Sequence, residues 1–188
     1  NHLTGGRFDL GVGVGWLKEE YQACGVPFEN RGDRLDDYIG ALKELWTSEV
    51  SSYSSETISF KSLLSYPKPL QLPHPPILIG GQSLRGIDRA ARLGDGLMVY
   101  DLDIEQIKKV MEVFENRLSI YGRNLDDVRF IVGRRNEGRT VESWKSDGEF
   151  VKSCKLIGGV SDVVCSPRFA NMDYEKNMRE YAKYVTLN

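Results

Sequence analysis

From Ile77 onward the chain alternates short, continuously apolar runs with longer amphipathic stretches, and this alternation constrains the fold more than any other feature. Ile77-Leu78-Ile79 is an uninterrupted apolar run of the kind expected for a strand covered on both faces. Gly80-Gly81-Gln82-Ser83 turns it into a helix over Leu84–Leu93. Gly96–Tyr100 reads as the next strand. A long helix follows from Ile104 to Tyr121, with Ile107, Met111, Phe114 and Leu118 on one face and Gly122 as its stop. Arg129–Gly133 is a further strand of the buried type, helix signals return around Gly148–Ile157, a strand lies at Asp162–Cys165, and a last helix is expected near Asp173–Val185. Upstream, Phe8–Val14 reads as a strand, Leu17–Ala23 as a short helix, and Asp33–Trp46 as a long one with Leu35, Ile39, Leu42 and Trp46 at helical spacing. The serine-rich stretch 47–66 is an excursion, read as a small hairpin outside the core, and the five prolines of 66–76 make an extended connector. Five strands alternating with helices predict parallel βαβ units and an α/β fold. They are either an open doubly wound sheet or part of an eight-stranded barrel, and periodicity does not decide between the two.

With 188 residues, 40% hydrophobic and 28% charged, the chain is long enough for one domain with a sizeable core. A net charge of −2 gives no reason to expect nucleic acid or an anionic membrane as partner. No apolar run approaches the roughly 20 residues that cross a bilayer. Three cysteines without CxxC spacing suggest neither a disulfide framework nor a zinc site, so no metal is expected and a reducing cytoplasm is the natural compartment. Two histidines are few for acid–base work, and His74, within LPHPP, sits in a rigid extended loop. The chain starts at Asn1 and enters a core strand within a few residues, as a fragment or a processed chain does.

Two places concentrate chemistry. In GVGVGW, Gly11, Gly13 and Gly15 fall at alternate positions, so one strand face carries no side chains. Such a face admits a flat ligand, or it marks close packing where only glycine fits; both readings stand. In ILIGGQS, a strand opens through two glycines into a helix started by a serine, which aims backbone N–H groups and the helix dipole at one point. That is an anion or phosphate site, or Ser83 is only an N-cap. The glycine spacing of residues 11–15 is not the GxGxxG dinucleotide fingerprint. Asp37 is expected to pair with Arg31 or Arg34, Asp95 to serve the Gly94–Gly96 turn, and Arg134–Arg139 to form a solvated loop. No Ser/His/Asp, Cys/His or paired-carboxylate set assembles.

Taken together, three segments carry a resemblance. GGRFDLGVGVGWLKEEYQACGVPFENRGDRLDDYIGALKELWT, YPKPLQLPHPPILIGGQS and RAARLGDG, in that order over about residues 4–100, resemble the luciferase-like monooxygenase family, most closely its branch using the deazaflavin coenzyme F420. The resemblance implies a single domain over 1–188 that is a partial (β/α)8 barrel: about five parallel strands with their helices, the first three strands missing. It implies F420, or else FMN, at the carboxyl ends of the strands. Gly11, Val12 and Gly13 would lie near the ring, and Gly80, Gly81, Gln82 and Ser83 would receive the phosphate. The implied reaction is hydride transfer between cofactor and a small organic substrate, or oxygen insertion with FMN. Leu97 replaces the family's usual tryptophan and Asp37 its usual glutamate. The absent strands would hold much of the substrate wall, so no catalytic residue is named. Open sheet edges imply pairing with the missing part or a homodimer. A flavin-binding relative without turnover, and a truncated barrel that binds nothing, are the alternative readings.

Overall fold

The computed structural model describes residues 1–169 and 173–186. In chain order the principal elements are β1 (Leu10–Val12), α1 (Lys18–Ala23), α2 (Arg31–Thr47), β2 (Ser51–Ser54), β3 (Ser59–Leu63), β4 (Ile77–Gly80), α3 (Leu84–Leu93), β5 (Gly96–Tyr100), α4 (Ile104–Ile120), β6 (Arg129–Arg135), α5 (Val141–Lys155), β7 (Asp162–Ser166) and α6 (Tyr174–Val185). Five strands form one parallel sheet in the order β1-β4-β5-β6-β7, while β2 and β3 pair as a separate antiparallel hairpin. The five lie side by side in the order they occur in the chain. A doubly wound sheet reverses its order at a switch point, so the arrangement is that of a barrel wall.

The strands read as apolar because one face is covered by helices. Ile77, Ile79, Leu97, Val99, Phe130 and Val132 are buried there. α4 lays Ile107, Met111, Phe114 and Leu118 onto this face, with the Phe114 and Phe130 rings 6.1 Å apart. Truncating such a ring to alanine typically costs about 3–5 kcal/mol. Side-chain caps fix the starts of α3 and α4. Ser83 Oγ accepts from Gly86 N at 3.2 Å, and Asp103 and Gln106 form a capping box at the start of α4.

The opposite face is concave. Strand alternation and register place Gly11, Leu78, Gly96 and Arg129 in one row across it, with Met98 and Ile131 in the next. Arg129 shows the curl directly. From β6 it is ion-paired both to Asp9, at the foot of β1, and to Asp162 of β7 at 2.9 Å. β4 and β5 lie between β1 and β6, so this contact spans the floor of a half-barrel.

Three expectations shift. The first strand is confined to Leu10–Val12, because Gly15, at φ 72°, swings the chain toward α1 and the Tyr21 ring. α5 starts at Val141, seven residues before Gly148, because Thr140 and Ser143 cap it reciprocally. Gly148 suggests a break but serves packing, since a Cβ there would collide with the Tyr184 carbonyl of α6. Arg134 and Arg135 belong to β6, and not to a solvated loop, because Asp147 and Asp101 partner them. Among the described residues no helix is long and apolar enough to cross a membrane.

Candidate functional site

The two glycine-bearing segments meet because β1 and β4 are neighbours, with Gly11 opposite Leu78 and Val12 opposite Ile79. Their glycines differ in purpose. A Cβ on Gly11 would meet no atom within 4 Å, so the strand face there is open space. A Cβ on Gly13 would lie 3.9 Å from the Gly80 carbonyl, and one on Gly80 would lie 3.4 Å from the Val12 carbonyl. At these two a side chain would stand in ordinary contact with the neighbouring strand's backbone.

Beyond β4, Gly81 takes a φ of 153°, and a Cβ there would stand 3.6 Å from Gly86 Cα. The Gly81 N–H donates to the Met98 carbonyl at 3.2 Å, so it is not available to a ligand. The amides at the α3 start that have no intrahelical acceptor are those of Ser83, Leu84 and Arg85. Ser83 accepts from Gly86 N through its hydroxyl oxygen, which leaves the hydroxyl hydrogen free to donate outward. Capping and anion binding are therefore compatible at one serine. Gln82 lies exposed on the turn.

A cleft of about 450 Å³ opens at this point, lined by Val14, Gly80, Gly81 and Ser83 on one side and by Arg31 and Asp33 at the start of α2 on the other. The expected pairing of Asp37 with Arg31 or Arg34 is not formed. Arg34 caps the Pro27 carbonyl at 2.9 Å, while Asp37 accepts from Thr57 N at 3.1 Å, and its hydrogen bonding to Thr57 holds its carboxyl below the usual range. Asp36 instead takes both Arg89 and Arg92 of α3, which locks α2 to α3. The missed signal was the i,i+3 pair of arginines on α3. Asp95, in the Gly94–Gly96 turn, accepts from Ile77 N at 2.8 Å, so its side chain ties that turn to the start of β4.

A second, wider cleft of about 660 Å³ lies where β5 and β6 end, between Asp101, Ile104, Arg134, Asn136 and Phe150. Asp101 adopts a left-handed φ of 56° and accepts from Arg135 through both its backbone N–H, at 2.9 Å, and its guanidinium. These bonds hold the Asp101 carboxyl below the usual range. Behind this cleft Asp147, wholly buried, accepts from the Tyr181 hydroxyl at 2.8 Å and lies 2.9 Å from Arg134 Nε. Burial pushes the Cys154 thiol up to about 11 and that of Cys165 upward as well, which disfavours the thiolate at both. Among the described residues no three His, Cys, Asp or Glu side chains gather as a metal-binding group.

The profile of the family described as luciferase-like monooxygenase matches residues 1–135. An FMNH2-dependent dimethylsulfone monooxygenase of Pseudomonas putida is 32% identical over 142 residues, covering 73% of this chain and 39% of that protein. Among solved structures, an F420-dependent secondary alcohol dehydrogenase aligns over 98% of this chain and 71% of its own, with a TM-score of 0.74 at 14% identity. Monooxygenase RslO1 from Streptomyces bottropensis aligns over 98% and 69%, with a TM-score of 0.72 at 18% identity. These two likenesses establish the fold. The chain spans about two fifths of the length of the curated relatives it matches.

Proposed function

The chain belongs to the luciferase-like monooxygenase family, and from that premise we propose that it forms part of an oxidoreductase barrel, one domain over residues 1–188, that uses F420 or FMN on a small organic substrate. The observation that carries this reading is the open Gly11 face beside the Gly80–Ser83 turn on an adjacent strand. The residues fit such a cofactor. Gly11, Val12 and Gly13 leave a flat backbone surface for a planar ring. The Ser83, Leu84 and Arg85 amides and the Ser83 hydroxyl offer donors to a phosphate. Gly81 and Gly86 keep the turn close to the helix start, and Gln82 borders it.

When bound, the cofactor supplies the hydride or, as reduced FMN, the oxygen chemistry. The chain's own contribution is to hold the phosphate, expose one face of the ring to the concave side and exclude competing reactions. F420 is the first choice on the sequence motifs, and the similar proteins include both an FMNH2-dependent and an F420-dependent enzyme. The full-length protein, titrated with FMN and with F420 while cofactor fluorescence is followed, should bind one of them at micromolar or tighter Kd. Turnover of the reduced cofactor with organic substrates should follow. Binding without turnover would make it a flavin-binding relative, and no binding of either cofactor would overturn the reading.

A further inference from the structure

A third row of side chains crosses the concave face above Met98 and Ile131. Strand register sets Tyr100 of β5 opposite Gly133 of β6, and Gly133 opposite Val164 of β7. Val99 and Val132 are buried in the helix-covered core, so alternation turns Tyr100 and Gly133 to the concave side. The two residues are matched. A Cβ on Gly133 would collide with the Tyr100 ring, standing 2.6 Å from Cζ, so the missing side chain lets the ring lie across β6. Tyr100 is half-buried there, and Gly133 is buried beneath it.

The end of β5 is clamped to β6. Asp101, at a left-handed φ of 56°, donates its N–H to the Gly133 carbonyl at 2.9 Å and accepts the Arg135 N–H at 2.9 Å. A non-glycine residue at positive φ is held there by its surroundings, and such residues gather at ligand sites. The ring set by this clamp carries a hydroxyl that makes no hydrogen bond among the described residues. A phenol hydroxyl has one hydrogen to donate. Between the Arg129 cluster at the floor and Arg135 at the rim, the described sheet face holds Met98, Ile131, Val164 and Tyr100. The Tyr100 hydroxyl is therefore its polar side-chain group. Both arginines of this face are already paired, Arg129 with Asp9 and Asp162 and Arg135 with Asp101, so nothing on it favours an anion.

β5 is the second strand from β1, about 10 Å across the sheet at the usual strand spacing. One small molecule resting on a ring at the Gly11 wall reaches Tyr100. We infer that Tyr100 is a specificity-determining residue on the substrate side of the cofactor, and that it selects neutral molecules bearing an oxygen acceptor, such as a ketone oxygen, on an apolar body. The hydroxyl donates to that oxygen, and Met98, Ile131 and Val164 take the apolar part. Gly133 is the bed that keeps the ring in place. The inference rests on reading the Gly11 wall as the place of the cofactor ring.

The test loads the full-length protein with whichever of FMN and F420 it binds, and compares the parent with Tyr100→Phe and Gly133→Ala. The probes are butanone, cyclohexanone and acetophenone, each beside its methylene isostere, with benzoate as the anion; ligand-observed NMR titration reads their affinities. The parent should prefer a ketone to its isostere by about three- to tenfold, the range of one neutral hydrogen bond, and benzoate should bind more weakly. Tyr100→Phe should erase that preference while the isostere and the cofactor bind as before. Gly133→Ala keeps the hydroxyl but unseats the ring, and should erase it too; if that variant does not fold, Tyr100→Phe decides alone. No ketone preference in the parent, tighter binding of benzoate, a preference that survives Tyr100→Phe, or equal weakening of ketone and isostere overturns the inference and leaves the cofactor reading intact. Loss of cofactor affinity in Tyr100→Phe assigns the hydroxyl to the cofactor and overturns it as well. If neither cofactor binds the parent, the cofactor reading fails, and the inference falls with it.

Discussion

Gly11 and Gly13 stand two residues apart in one short segment, yet their surroundings differ. At Gly13 a side chain would make ordinary contact with the Gly80 carbonyl; at Gly11 it would point into empty space on the concave side. Gly11→Val is therefore expected to leave stability within about 0.5 kcal/mol, as at an unencumbered site, while cutting cofactor affinity about tenfold or more by occupying the ring's place. Melting and titration together check this, and an unchanged Kd would remove the ring from that face. Gly81→Val should act on both quantities, because φ 153° strains a β-branched residue there and its side chain would stand against Gly86 Cα. The expected cost is about 1–3 kcal/mol, with cofactor binding lost. The alternating glycines were legible in the sequence, but which of them faces space and which faces backbone was not. That depends on β4 lying next to β1. The cysteines permit a plainer check: a thiol reagent should titrate exposed Cys24 first in the native protein, half-buried Cys165 more slowly, and buried Cys154 only after denaturation.

Elements are tied together by side chains whose partners lie far away in sequence. Asp147 of α5 joins Arg134 of β6 to Tyr181 of α6 in a buried cluster. Asp147→Ala leaves the arginine and the hydroxyl unanswered and should cost about 3–5 kcal/mol, the range for breaking a buried pair; urea unfolding measures it. Nothing local to Asp147 signalled this, since its partners are 13 and 34 residues distant. The capped helices α3 and α4 were legible almost to the residue, because Ser83 and Asp103 immediately precede apolar periodic runs. α5 was not, because its first turns carry few apolar residues besides Trp144. The tie between β5 and β6 makes a pH prediction. Asp101's carboxyl is held low by Arg135, so its contribution is complete above the ordinary carboxylate pKa of about 3.9 and is lost as the pH falls through its lower folded value. Asp101→Asn keeps a residue tolerant of left-handed φ and should abolish that acid-side dependence in melts run between about pH 5 and 2.

At the scale of the molecule, β1 and β7 are the outermost strands of the described sheet, and both present unpaired edges. A polypeptide of these 188 residues alone should self-associate and bind a hydrophobic dye, as light scattering and fluorescence would record. A stable monomer with no dye uptake would show that the edges are blunted. Periodicity left barrel and doubly wound sheet equal, because strand order in space is not written in strand spacing. The family motifs, carried by the Gly11 and Gly80–Ser83 segments, favour the barrel. The Arg129 bridge to Asp9 and Asp162 works as a hinge pin: it fastens β1, β6 and β7 at their amino ends, so the free rim of the half-barrel is its carboxyl end, where the glycine turn lies.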